Sequence, residues 1–199
     1  IAYYESNKRK VDSCIAASYT GLANIYAAQQ NVSDALHYYK LAMKIRLTIH
    51  GENHPAIANS YHNIASIHLI NGNNDMAKEY YRKALHIKLD RLGNNHPDLT
   101  CTYESLADVY EKTGEKMRAI KTRIALTDLK KTLLGNKNPT LSTSYIKIAE
   151  AYKVEDDYKG ALKYYNLAYC VQVNQGKPLP CLNKTLENIN TCNKKLNTK

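Results

Sequence analysis

The chain has 199 residues, 44% of them hydrophobic, and its 28 Lys and Arg against 18 Asp and Glu give a formal net charge of +10. No run reaches the roughly 18 consecutive apolar residues of a membrane span. The five cysteines, Cys14, Cys101, Cys170, Cys181 and Cys192, include no C-x-x-C pair, so they indicate neither a zinc site nor a disulfide framework and lead us to expect a reduced, cytoplasmic chain.

The sequence is periodic. His54-Pro55 returns as His96-Pro97 and again as Asn138-Pro139, with 96 − 54 = 42 and 138 − 96 = 42, a spacing that signals stacked repeats. Residues 1–10 align with 43–52 and are expected to be the end of a preceding repeat's second helix, the chain starting inside a longer array. The first copy, 11–52, has Arg9 and Ser13 where later copies have a corner Gly and Pro, with Asp12 available as a side-chain cap.

The second copy, 53–94, shows the pattern most clearly. Ile57, Tyr61, Ile64, Ala65 and His68 share one helix face, Asn71-Gly72-Asn73-Asn74 breaks the helix, and Ala77, Tyr80, Tyr81, Ala84, Leu85 and Ile87 form a second amphipathic run. Pro55 suits a first helical turn, and Gly93 can adopt the left-handed conformation that closes a helix. The third copy, 95–136, carries Arg123 and Leu126 where the others have Tyr and Ala, and the fourth, 137–177, slips register by one at Gly176. Residues 178–199 place Leu182, Leu186, Ile189 and Leu196 at roughly helical spacing, as a capping helix and tail that cover an otherwise open apolar face.

Superposing the copies aligns Tyr19, Tyr61, Tyr103 and Tyr145; Ala23, Ala65, Ala107 and Ala149; and Ala35, Ala77, Ala119 and Ala161. A recurrent small residue marks a close helix crossing, and the aromatic beside it fills the gap between helices. On these positions the chain resembles the tetratricopeptide repeat (TPR), and its long spacing with the G-x-x-HP corner resembles the kinesin light chain-like type. The expected fold is therefore all-α, a right-handed α-solenoid of about four TPR helical hairpins plus a C-terminal capping helix.

Seventeen Tyr without Phe or Trp could suggest stacking platforms for nucleic acid. Thirteen of them fall at four repeat positions, which favours packing roles and argues against a nucleic-acid partner. The histidines have no metal-site spacing, His50 and His54 flanking a corner while His62 and His68, six apart, point to different faces. No phosphate loop, nucleophile elbow or paired carboxylate appears, so no enzyme activity and no cofactor are expected.

The resemblance implies that first helices line a concave face. A peptide-binding groove would then comprise Thr20, Asn24, His62, Asn63, Ser66, Leu69, Glu104, Asp108, Glu111, Ile146, Lys147, Glu150 and Lys153. Asn63 matches the Asn that kinesin light chains place before the Leu-Ala pair, whereas Gly21, Ser105 and Lys147 depart from it. The implied function is a non-catalytic scaffold that holds a peptide or helical segment of a protein partner, basic at the end lying over copies three and four. Most of the Lys and Arg, Arg46, Lys83, Lys88 and Arg123 among them, fall on second helices and would coat the convex face. The alternatives are electrostatic binding of nucleic acid or anionic membrane through that face, or a regulatory or targeting module of a larger enzyme. The sequence leaves the oligomeric state open.

Overall fold

A computed structural model describes residues 2–176 and 178–197. Ile1, Lys177, Thr198 and Lys199, to which the expected segments 1–10, 137–177 and 178–199 extend, lie outside the described residues. Among the described residues there are nine helices and no strand: α1 Ala2–Ala28, α2 Val32–His50, α3 Pro55–Ile70, α4 Asn74–Leu92, α5 Leu99–Lys112, α6 Lys116–Leu134, α7 Thr140–Val154, α8 Tyr158–Asn174 and α9 Leu179–Asn197. They form two compact units divided between Thr113 and Gly114, within the segment 95–136. In the first, α1 packs on α2, α2 on α3, α3 on α4 and α4 on α5; in the second, α6 packs on α7, α7 on α8 and α8 on α9. The architecture is the all-helical, hairpin-by-hairpin class of the TPR-like α-solenoid.

The repeated corner follows from backbone chemistry. Gly51 takes φ 76°, where an L side chain would be strained, and its N–H donates to the Leu47 carbonyl at 2.9 Å to close α2. His54 is extended, and its Nδ1 accepts the Ala56 N–H at 3.1 Å, so the imidazole caps α3 while Pro55 begins it. The motif returns at Gly93 (φ 76°), with His96 Nδ1 accepting from the Asp98 N–H at 3.2 Å, and at Gly135 (φ 81°), with Asn138 Oδ1 accepting from the Thr140 N–H at 3.0 Å. Asn can replace His there because either side chain offers one acceptor to an amide two residues on.

No such corner forms near residues 9–13, contrary to the expectation. Arg9 and Ser13 offer neither the left-handed tolerance of Gly nor the ring of Pro, so nothing stops the helix and α1 runs unbroken for 27 residues. Residues 2–10 extend α1 instead of ending a preceding second helix. Arg9 thereby comes near His50, which is held below the usual imidazole range first by desolvation and then by the charges of His54, Arg46 and Arg9.

Small residues set the helix crossings. Ala23 and Ala35 are fully buried in one cluster with Tyr39, Ile64 and Ile67, and Ala149 and Ala161 occupy the equivalent place in the second unit with Tyr165, Ile189 and Cys192. Burying a side chain of the size of Ile64 contributes about 1.5–3 kcal/mol, and a methyl-sized neighbour lets the backbones approach closely enough to collect it. Rings fill the rest of each hairpin: Tyr26 stacks on Tyr38 at 5.4 Å, His68 on Tyr80 at 5.6 Å, and Tyr152 on Tyr164 at 5.7 Å. These are packing contacts, which accounts for most of the tyrosine periodicity.

Helix α9 supplies Ile189 and Cys192 to the last core. Cys181 and Cys192 lie on this one helix, about 16 Å apart along its axis, beyond the reach of a disulfide.

Candidate binding surface

The first unit brings nine of the expected groove residues onto α1, α3 and α5, and the second unit carries the other four on α7. In the first unit, one position on α1 and one on α3 are tied to the tyrosine of the following second helix. Tyr39 Oη donates to Asn24 Oδ1, and Tyr81 Oη lies 2.9 Å from Ser66 Oγ, which also donates to the His62 carbonyl. These hydroxyls reach through the hairpin because Ala23/Ala35 and Ala65/Ala77 let the helices close up. Asn24 and Ser66 are thus held in one orientation, with part of their hydrogen-bonding capacity already used.

His62 lies edge-on to Tyr81, ring centroids 5.1 Å apart. Burial, reinforced by the Lys88 charge, pushes its pKa down to about 4, so the imidazole is neutral at pH 7. Its Nδ1 is buried and has no hydrogen-bond partner among the described residues. Asn63 and Leu69 are half-buried beside it on α3. On α5, Glu104 is half-buried while Asp108 and Glu111 are exposed, and the i, i+4, i+7 spacing puts the three carboxylates on one face. The side-chain strip therefore changes from neutral and hydrogen-bonding on α1 and α3 to acidic on α5.

Thr20 belongs to a different constellation. Its Oγ1 donates to the Ala16 carbonyl and accepts from Arg46 Nη2 at 2.9 Å, while Arg46 Nη1 donates to Ser60 Oγ at 2.9 Å. One guanidinium on α2 thus clasps α1 and α3. The clasp recurs one repeat on, where Lys88 Nζ donates to Thr102 Oγ1 and to the Asp98 carbonyl, both at 3.1 Å. In the second unit Thr185 Oγ1 donates to Gln172 Oε1 at 2.9 Å at the corresponding α8–α9 contact. Sequence reasoning missed this ladder, whose signal is the alignment of Arg46, Lys88 and Gln172 opposite Ser60, Thr102 and Thr185.

The ladder corrects the expected charge distribution. Lys88 is 4% and Arg123 8% exposed, and Arg46 is half-buried, so these three do not belong to a solvated convex face. The reason is that a long cationic side chain can place its stem in the inter-helix seam when hydroxyl and carbonyl oxygens receive its N–H groups. Desolvation lowers the Lys88 pKa, opposed by Asp98 and Cys101.

In the second unit, Ile146 packs against the Ala149–Tyr165 cluster and Lys147 and Glu150 are exposed. Tyr165 is pushed up to about 12, chiefly by burial and then by the Glu150 and Cys192 charges. Lys153 Nζ donates to Asn188 Oδ1 of α9 at 3.3 Å, so the capping helix occupies part of this side chain's reach. Among the described residues no group of three His, Cys, Asp or Glu could hold a metal ion, and no helix is long and apolar enough to cross a membrane.

Residues 14–90 match the tetratricopeptide repeat family. Among solved structures, a kinesin light chain-type protein of Podosopora anserina with nearly identical TPR-like repeats is similar at TM-score 0.74 and 18% identity, covering 94% of this chain and 89% of that one. BtubC (BKLC) from P. vanneervenii is similar at TM-score 0.72 and 18% identity over 98% of this chain and 77% of its own. The apo form of RapI is similar at TM-score 0.67 and 15% identity over 92% of this chain and 64% of its own. No curated protein sequence matches the chain.

Proposed function

We propose that this chain, a tetratricopeptide-repeat solenoid with the fold of the kinesin light chain-like arrays, is a non-catalytic scaffold that holds a peptide or helical segment of a protein partner on its first-helix face. The observation that carries this reading is the graded strip of the first unit. Asn24 and Ser66 are pre-oriented by Tyr39 and Tyr81, His62 adds a neutral ring with an unpaired buried nitrogen, and Glu104, Asp108 and Glu111 follow on α5. Fixed amide and hydroxyl groups suit peptide backbone, because their orientation costs little further entropy on binding. Converging carboxylates attract a cationic segment and disfavour an acidic one. The partner segment is therefore uncharged over α1 and α3 and basic over α5, bound through several modest contacts. Lys147, Glu150, Ile146 and Lys153 contribute the corresponding surface of the second unit.

An outer basic face binding polyanions is the less supported reading, since Arg46, Lys88 and Arg123 are turned inward. An array of otherwise identical peptides, with Lys/Arg or Glu at one end, tests both readings when probed with the full chain at two ionic strengths. The proposed function expects selective retention of the basic-ended peptides. Equal retention of both series, with tight and steeply salt-dependent binding of heparin, contradicts it.

A further inference from the structure

The hydrogen bonds within the first unit fix which way its groove-side polar groups point. Tyr39 is buried and its Oη donates to Asn24 Oδ1. Burial raises the Tyr39 pKa, so at pH 7 the phenol keeps the proton that it gives to this oxygen. The Asn24 amide is thereby oriented with its oxygen engaged, and what it has left to offer a ligand is the N–H pair on Nδ2. Ser66 is committed in a similar way. Its one proton goes to the His62 carbonyl at 3.1 Å, so in the 2.9 Å contact with Tyr81 it is Tyr81 Oη that donates and Ser66 Oγ that accepts.

His62 stands one turn before Ser66 on the same face of α3. The ring is half-buried. Its Nδ1 is enclosed without a hydrogen-bond partner among the described residues, and Nε2 is the nitrogen that solvent reaches. A neutral imidazole has one N–H and one lone pair to divide between these two places. Buried N–H groups without an acceptor are rarer in proteins than under-used acceptors. The charge that acts on this ring, that of the buried Lys88, also favours a lone pair over an N–H on the interior side. The proton therefore sits on Nε2, and His62 faces the groove as a donor.

We propose that His62 is the specificity-determining residue of this strip, a fixed Nε2–H donor that, together with the Nδ2 hydrogens of Asn24, receives main-chain carbonyl oxygens of an extended partner segment. The proposal rests on the reading of the strip as a peptide-holding surface and gives its uncharged part a polarity: it offers donors and selects acceptors. An extended stretch suits such a surface because its carbonyls are not committed to bonds of its own, whereas those inside a helix are. Side-chain amide oxygens carry the same acceptor chemistry but fit less well, since a long side chain loses rotamer freedom when it is held in one place. Tyr39, Tyr81 and the enclosure of Nδ1 set the donors before any ligand arrives, so little further ordering is needed on binding.

The tautomer is read on the full chain alone by long-range proton–nitrogen correlation NMR, with His62→Phe identifying the His62 signals among those of the seven histidines. Protonated Nε2 with unprotonated Nδ1 is expected at pH 7, and the reverse or an averaged pattern overturns the proposal. Binding is read by fluorescence anisotropy with a labelled peptide of Ala and Gly that carries Lys and Arg at one end, and with a twin in which Gln and Asn replace the Ala. The two should bind alike; binding of the twin alone assigns the acceptors to side chains and overturns the proposal. His62→Phe should weaken binding about three- to tenfold, and His62→Gln, which keeps an N–H donor, should recover most of it. Asn24→Asp leaves an oxygen for Tyr39, removes the donors and adds the charge that a basic-ended peptide prefers. Weaker binding is expected, and stronger binding overturns the donor role. If neither peptide binds the parent chain, the peptide-holding reading falls and this proposal with it. If both bind and His62→Phe and Asn24→Asp leave the affinity unchanged, this proposal alone falls.

Discussion

Lys88 Nζ lies 3.1 Å from Thr102 Oγ1, linking the second helix of one hairpin to the first helix of the next. Lys88→Glu leaves a carboxylate against the Asp98 carbonyl and the Thr102 hydroxyl oxygen, a repulsive and desolvated arrangement expected to cost about 3 kcal/mol. Lys83, half-exposed, paired with Glu79 four residues away and lying 5.4 Å over the Tyr80 ring, is the control: Lys83→Glu should cost less than about 1 kcal/mol. Urea unfolding of the two variants measures both, and equal midpoint shifts would contradict the inward clasp.

His62 should make stability depend on pH. Its folded pKa of about 4 lies below the ordinary 6.5, so above pH 6.5 the group is neutral in both states and carries no penalty. As pH falls from 6.5 towards 4 the unfolded chain takes up the proton first. This removes stability up to on the order of 3 kcal/mol, fully lost below pH 4 where both states are charged. His68 and His50, also lowered, add to the same window. His62→Phe keeps a ring against Tyr81 without the titrating nitrogens and should flatten the slope between pH 6.5 and 4 relative to the parent chain.

The turns inside the hairpins offer a backbone test. Positions 30, 72, 114 and 156 are equivalent and all have positive φ, but only Gly72 and Gly114 are glycine, while Gln30 has φ 60° and Asp156 φ 55°. Gln30→Gly should stabilise by about 0.5–1 kcal/mol by relieving the left-handed penalty. Asp156→Gly should gain less, because it removes the acceptor of the Tyr158 hydroxyl at 2.9 Å. Thermal unfolding of the two variants checks the order.

Gly160 reverses the usual helix rule. Ala is favoured over Gly by about 1 kcal/mol in a helix, yet a Cβ at Gly160 would stand 2.8 Å from Tyr152 Cδ1 and 2.8 Å from Asp157 Oδ2. The Tyr152 ring is held by its stack on Tyr164 and Asp157 by its cap on the Gly160 N–H, so neither can retreat freely. Gly160→Ala is expected to lower stability by about 1–2 kcal/mol; a higher melting temperature would show that the ring yields.

Much of this fold is legible in the residues. The His/Asn-Pro spacing marks hairpins whose caps have a direct chemical cause, and the alanine columns mark the close crossings seen at Ala23/Ala35 and Ala149/Ala161. Three features are not apparent from period or composition. Arg46 and Lys88 look like surface charge until the hydroxyls of Ser60 and Thr102 are seen opposite them. The unbroken α1 depends on what Arg9 and Ser13 fail to do, which a repeat alignment hides. The Tyr39–Asn24 and Tyr81–Ser66 contacts depend on how closely two helices approach, a quantity set by packing and not by the identity of either residue alone.

The central claim is tested most directly by fluorescence anisotropy of one labelled basic-ended peptide, selected on the array, against the full chain, its Glu104→Lys/Asp108→Lys variant and its Lys83→Glu variant. With helicity unchanged, the double reversal should weaken binding about tenfold or more while Lys83→Glu leaves it unaltered. Loss of binding in Lys83→Glu with retention in the double reversal would contradict the account and place recognition on the outer basic face.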